Sequence, residues 1–136
     1  MLEGGCLCEH VRYRYVGVVT EISMCHCSQC RKAQGSAFAA VSPIAAELFH
    51  ITRGAAYLKE FRATPAKARV FCRECGSPLY SVRDDLPHIM RLRVGTLDTP
   101  ISVAHRYHAF VDDKAPWFEI TDTLPQYPHR GGGNAS

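Results

Sequence analysis

Apolar and polar positions alternate along much of this chain with a period of two. Val11, Tyr13 and Tyr15 alternate with Arg12 and Arg14, which predicts a strand with one buried face. Gly35-Ser36 precedes the run Ala37-Phe38-Ala39-Ala40-Val41, a second strand that Pro43 is expected to end. Residues 45–48 fit one helical turn after that proline. Phe49 and Ile51 then lead into Gly54, a turn signal, with another strand expected around 57–61. Residues 70–72 and 79–82 flank a knuckle. Met90, Leu92 and Val94 alternate with Arg91 and Arg93, a further half-buried strand, and 101–111 is β-rich. Helix signals are few, so the expected class is mainly β.

At 136 residues the chain fits one domain with a real core. That domain is expected over 1–128. Residues 129–136 end in Arg130-Gly131-Gly132-Gly133-Asn134-Ala135-Ser136, which has nothing to bury and reads as a flexible C-terminal tail. No apolar stretch is long enough for a transmembrane helix, and the start, MLEGGCLCEH, lacks the basic and apolar regions of a signal peptide. A cytoplasmic location is the expectation.

The formal charge of +3 counts every thiol as neutral. Seven thiolates holding two divalent zinc ions lower it by three, to about zero. Arg12, Arg14, Arg31, Lys32, Arg91 and Arg93 are also scattered along the chain. Neither fact favours nucleic acid as a partner, and no membrane partner is expected.

Seven cysteines without an export signal point to metal rather than disulfides. They form three clusters: Cys6-Leu7-Cys8, Cys25-His26-Cys27-Ser28-Gln29-Cys30 and Cys72-Arg73-Glu74-Cys75-Gly76. Thiolates at i and i+3 in a tight turn converge on one tetrahedral ion, and cysteines at i and i+2 of extended backbone share a face. If each cluster stays intact, Cys6, Cys8, Cys72 and Cys75 fill a closed structural site. Cys25, Cys27 and Cys30 then form a three-ligand site with a position to spare, as catalytic zinc sites have. Splitting the middle cluster escapes this argument. A remote histidine (His50, His105 or His108) completing the second site would make it structural too. His26, between two cysteines, is expected to face away from the ion.

These clusters resemble the family of glutathione-dependent formaldehyde-activating enzymes, which includes the centromere protein V type of domain. The resemblance runs from Gly4-Gly5-Cys6-Leu7-Cys8 through the middle cluster with Arg31-Lys32 and Gly35. It continues through Phe71-Cys72-Arg73-Glu74-Cys75-Gly76-Ser77 and Val94-Gly95-Thr96-Leu97-Asp98 to His108-Ala109-Phe110-Val111 and Lys114-Ala115-Pro116-Trp117. It implies a β-tent of small antiparallel sheets, a structural zinc on Cys6, Cys8, Cys72 and Cys75, and a catalytic, more labile zinc on Cys25, Cys27 and Cys30. It also implies a carbon–sulfur lyase acting on thiol–aldehyde adducts, with glutathione and formaldehyde as partners and S-(hydroxymethyl)glutathione as the adduct. One departure is Glu9, where the family usually has glycine after the second cysteine.

No general acid or base is assigned from the sequence. Arg31 and Lys32 read as a solvated turn, although they can attract a substrate's carboxylates. Trp117 reads as core rather than substrate platform. His108 reads as a structural histidine, a group that orients a metal ligand, or a proton carrier. Two other classes compete with the enzyme: a zinc-stabilised binding module without catalysis, and a redox sensor built on the middle cluster.

Overall fold

The computed structural model describes residues 1–130; the glycine-rich end, 131–136, lies outside the described residues, as does that part of the expected tail. His129 is tied down, its carbonyl accepting the Phe110 N–H at 2.7 Å. The fold is mainly β, 43% strand and 15% helix. A three-stranded antiparallel sheet joins β1 (Leu2–Gly5), β2 (Arg12–Tyr15) and β5 (Phe49–Arg53). The second sheet has seven strands, β3 (Glu21–Cys25), β4 (Ala39–Ala45), β6 (Leu58–Thr64), β7 (Lys67–Cys72), β8 (Pro78–Arg83), β9 (Ile89–Arg93) and β10 (His105–Ala109). They lie in the order β10-β3-β4-β9-β8-β7-β6. All neighbours are antiparallel except β10 and β3, which run parallel. An all-antiparallel arrangement therefore does not hold, because the long return from β9 brings β10 in beside β3 in the same direction.

The core lies where the two sheets face each other. Tyr13 and Tyr15 from β2 and Phe49 from β5 meet Ile44, Leu79, Met90 and Leu92, with Cys6 and Cys72 in the same cluster. The expected strand of Val11, Tyr13 and Tyr15 thus has its buried face, and residues 46–48 form the expected turn, here a 3₁₀ one.

Three local expectations are corrected. Pro43 does not end its strand: β4 runs through it to Ala45, paired with β9 at Arg91. β3 stops pairing at Val41, so Pro43 has a ladder partner on one side and its missing N–H is tolerated. The β9 strand is not half-buried: Arg91 and Arg93 are 1% and 4% exposed. The strand is central in its sheet, and its second face looks into a cavity rather than bulk water. Trp117 is not core but 71% exposed. Its neighbour Phe118 turns inward instead, to rings of Phe38 and His26 at 5.9 Å.

Candidate metal centre

The backbone delivers the cysteines to the ends of strands. Cys6 follows β1, Cys25 closes β3 and Cys72 closes β7. Past Cys72 the chain reverses: the Gly76 N–H bonds the Cys72 carbonyl at 2.8 Å and the Cys72 N–H bonds the Ser77 carbonyl at 3.0 Å. Gly76 has φ +79°, a left-handed conformation that glycine adopts at no steric cost. At the first knuckle the corresponding turn is made by Glu9, with φ +67°. This is the position where the family pattern has glycine, so the departure carries backbone strain.

The sulfur atoms of Cys6, Cys8, Cys72 and Cys75 all lie within 4.8 Å of one another. Cys6–Cys8 and Cys8–Cys72 sulfurs are 3.6 and 3.7 Å apart. A tetrahedral zinc with bonds of about 2.3 Å requires sulfur–sulfur edges of about 3.8 Å, whereas a disulfide needs about 2.05 Å. All seven cysteines are free. The donor set therefore fits a zinc-type ion. Polar groups already turn toward these sulfurs: the Val11 N–H to Cys6 at 3.2 Å, His10 Nδ1 to Cys8 at 3.1 Å, and Ser77 Oγ to Cys75 at 3.3 Å.

The second group is Cys25, Cys27 and Cys30, again within 4.8 Å. No histidine or carboxylate joins it among the described residues. His50 and His105 are exposed, and His108 is buried but engaged elsewhere. The segment is not a simple turn. A helix, α1 (Ser28–Gln34), begins inside it, with the Cys27 sulfur accepting the Cys30 N–H at 3.3 Å as the N-cap. Gly35, φ +61°, closes the helix in the left-handed C-cap conformation. One helical turn thus brings Cys30 back under Cys25 and Cys27.

Beside this trio lies a cavity of about 270 Å³ whose wall includes all three cysteines, Val41 and Phe110. Phe110 has φ +57°, uncommon for a bulky residue. That conformation turns the chain from β10 into a 3₁₀ turn while the ring packs against the Cys25–Cys30 cluster. The rest of the wall is basic: Lys67, Arg69, Arg83, Arg91, Arg93 and Arg130. Strand register explains this. Arg69 pairs with Ser81 and Ser81 with Arg91, while Lys67 pairs with Arg83, so residues two apart on β7, β8 and β9 share one face. Arg31 and Lys32 are not in this wall; Arg31 Nε bonds the His26 carbonyl at 3.3 Å and Lys32 is exposed. The alternation in β9 marks Arg91 and Arg93 but not their partners on other strands. A usable signal is the two-residue spacing of Lys67 and Arg69, repeated by Arg91 and Arg93.

The Cys30 thiol is drawn toward the thiolate. Cys25 and Cys27 share hydrogen bonds with it, and Arg93 and Arg69 favour its charge against the effect of burial. The Arg69 guanidinium is 4.0 Å from its sulfur. Cys25 is correspondingly raised by Cys27 and Cys30.

His26 faces away from the sulfurs, its Nε2 bonded to His108 Nδ1 at 2.8 Å, and His108 Nε2 meets the Asp122 carboxylate at 3.1 Å. Burial, with the nearby His108, pushes His26 down to about 4. Asp122 is held below its ordinary value by the His108 hydrogen bond. This chain of three fixes the backbone between Cys25 and Cys27 against β10. Lys114 bonds the carbonyls of Ala115 and Phe118.

A mainly β protein with one four-thiol and one three-thiol group, the latter beside a basic cavity, is a cysteine-rich β protein whose two groups could each hold a metal ion. Comparison narrows the class. The family of glutathione-dependent formaldehyde-activating enzymes matches residues 1–113, and the chain belongs to that family. A Halomonas elongata protein described as a putative glutathione-dependent formaldehyde-activating enzyme is 28% identical over 127 residues, covering 88% of this chain and 81% of that protein. A crystal structure of a Rhodobacter sphaeroides protein shares the fold, with TM-score 0.61 and 24% identity over 73% of this chain and 90% of that one. No helix among the described residues is long and apolar enough to cross a membrane.

Proposed function

We propose that this protein adds a small thiol to a small aldehyde, and cleaves the adduct in reverse, at the Cys25–Cys27–Cys30 group. The observation that carries the reading is the inequality of the two groups: four sulfurs in one, three in the other, with the three facing a cavity. The family's name supplies glutathione and formaldehyde as the pair. Zinc bound by the three cysteines supplies a Lewis acid that keeps a substrate thiol ionised at neutral pH.

Cys25, Cys27 and Cys30 hold the ion and do not attack. In the forward reaction a bond forms between the thiol sulfur and the carbonyl carbon, and the carbonyl π pair moves to oxygen. The proton lost from sulfur ends on that oxygen, giving S-(hydroxymethyl)glutathione. The reverse breaks the same carbon–sulfur bond, so the activity is that of a carbon–sulfur lyase. Arg69 and Arg93 favour negative charge on the Cys30 sulfur, and Val41 with Phe110 forms an apolar wall that limits water. The four-cysteine group is the structural zinc site. The cytoplasm, which keeps thiols reduced, is the compartment that suits this chemistry.

The test is the exchange rate between free formaldehyde and S-(hydroxymethyl)glutathione, read by NMR. Zinc-loaded wild type accelerates exchange and Cys27→Ser does not. Equal rates with wild type, with Cys27→Ser and without protein would replace the lyase by a binding module.

A further inference from the structure

The basic wall of the cavity exceeds what the cysteines need. Three thiolates and a divalent ion leave one net negative charge. Facing it are Lys67, Arg69, Arg83, Arg91, Arg93 and Arg130, and no carboxylate among the described residues lines the cavity. Arg83 is answered by Asp85 at 2.6 Å, outside the wall. Arg93, 4% exposed, donates to Ser81 and to the Arg91 carbonyl, both neutral acceptors. Arg69 reaches Gln29 and the Cys30 sulfur, and its Nη1 is buried with no hydrogen-bond partner among the described residues. Neither Arg69, Arg93 nor Lys67 makes an ion pair with a carboxylate among the described residues.

An arginine as buried as Arg93, with no carboxylate paired to it among the described residues, is costly unless a ligand supplies the missing charge. Guanidinium groups held at fixed positions on β7 and β9, the strands that flank β8, suit planar oxyanions, which they bind through paired N–H donors. The cavity is also small, near the lower end for ligand pockets.

Resting on the thiol reading of the same site, we propose that the Lys67–Arg69–Arg93 wall selects the substrate: a compact thiol carrying at least two anionic groups, seated with its charges on these strands and its sulfur toward Cys25, Cys27 and Cys30. Neutral or cationic thiols of the same size are poor ligands. Arg69 and Arg93 are specificity-determining residues, and Lys67 adds to the field.

Calorimetry on zinc-loaded protein tests this with mercaptosuccinate, 2-mercaptoethanol and cysteamine, and with succinate as the same dianion without sulfur. Mercaptosuccinate binds at least about tenfold tighter than either other thiol, as one or two charge-assisted hydrogen bonds require. Arg69→Gln, at a half-buried position that tolerates an uncharged amide, weakens mercaptosuccinate more than 2-mercaptoethanol and so removes most of that advantage. Equal affinities for the three thiols, or an advantage untouched in folded Arg69→Gln and Lys67→Gln, overturn the proposal. Failure of the thiol reading looks different. In that case succinate binds as well as mercaptosuccinate and still weakens in Arg69→Gln, so the wall stands as an anion site. No detectable binding of either dianion removes the wall itself.

Discussion

Replacing single cysteines in the two groups separates a tie across the fold from a local one. Cys8 and Cys72 are 64 residues apart in sequence, and their sulfurs are 3.7 Å apart in space. Treated as a cross-link, an ion joining them removes denatured-chain entropy worth about 4 kcal/mol. Closing the short segment from Cys25 to Cys30 is worth about 2 kcal/mol on the same relation. Cys72 is also wholly buried in the main core with Cys6, so Cys72→Ser places a hydroxyl among apolar neighbours as well as breaking the tie. Against a domain stability of about 5–15 kcal/mol, that loss unfolds the protein or lowers its melting temperature by roughly 10 °C or more. Cys27 is only partly buried, and serine there still caps α1 by accepting the Cys30 N–H. Cys27→Ser therefore stays folded and loses one metal. Thermal melts by circular dichroism, with zinc measured by mass spectrometry on the same samples, read both effects. Equal destabilisation by the two substitutions would refute the division into a structural and a functional group.

Other consequences follow from the same geometry. Protein purified under reducing conditions carries up to two zinc ions per chain, and the one on the three-sulfur group leaves first to a chelator followed by absorbance; a single ion held on the trio alone contradicts this. Glu9→Gly relieves the φ +67° strain, and since the Glu9 carbonyl that Arg53 reaches at 2.8 Å is backbone, stability in urea rises by about 1 kcal/mol. Lys67 is pushed down to about 8 by burial, with Arg69, Arg93 and Arg91 opposing its charge and Cys30 favouring it. It is protonated below that pH and neutral above, so succinate binding weakens as pH rises past about 8, and Lys67→Arg, charged throughout, flattens the profile.

The cysteine grouping was legible because ligand count and spacing are properties of the chain itself and leave few ways to share two tetrahedral ions. The period-two strands were legible because one face of each is apolar. What escaped was non-local. The parallel pairing of β10 with β3 depends on where a return of 84 residues lands, and the contact between His26 and His108, 82 residues apart, depends on it too. The helix inside the middle cluster was hidden by its cap, since cysteine is not among the preferred N-cap residues. Arg91 and Arg93 looked solvated because alternation shows that a face is polar, not what covers it. Only the register with Lys67, Arg69 and Arg83 turns that face into the wall of a cavity. Trp117 and Phe118 are adjacent and both apolar, and their order of burial is decided by the pocket of Phe38 and His26.

The central claim is that the three-cysteine group receives a substrate thiol. Cobalt in place of zinc gives thiolate charge-transfer bands whose intensity follows the number of sulfur ligands. Titrating glutathione into cobalt-loaded wild type raises these bands to a saturating level, and the increase is absent in Cys27→Ser. Bands that stay constant in wild type with glutathione and with mercaptosuccinate would contradict the account.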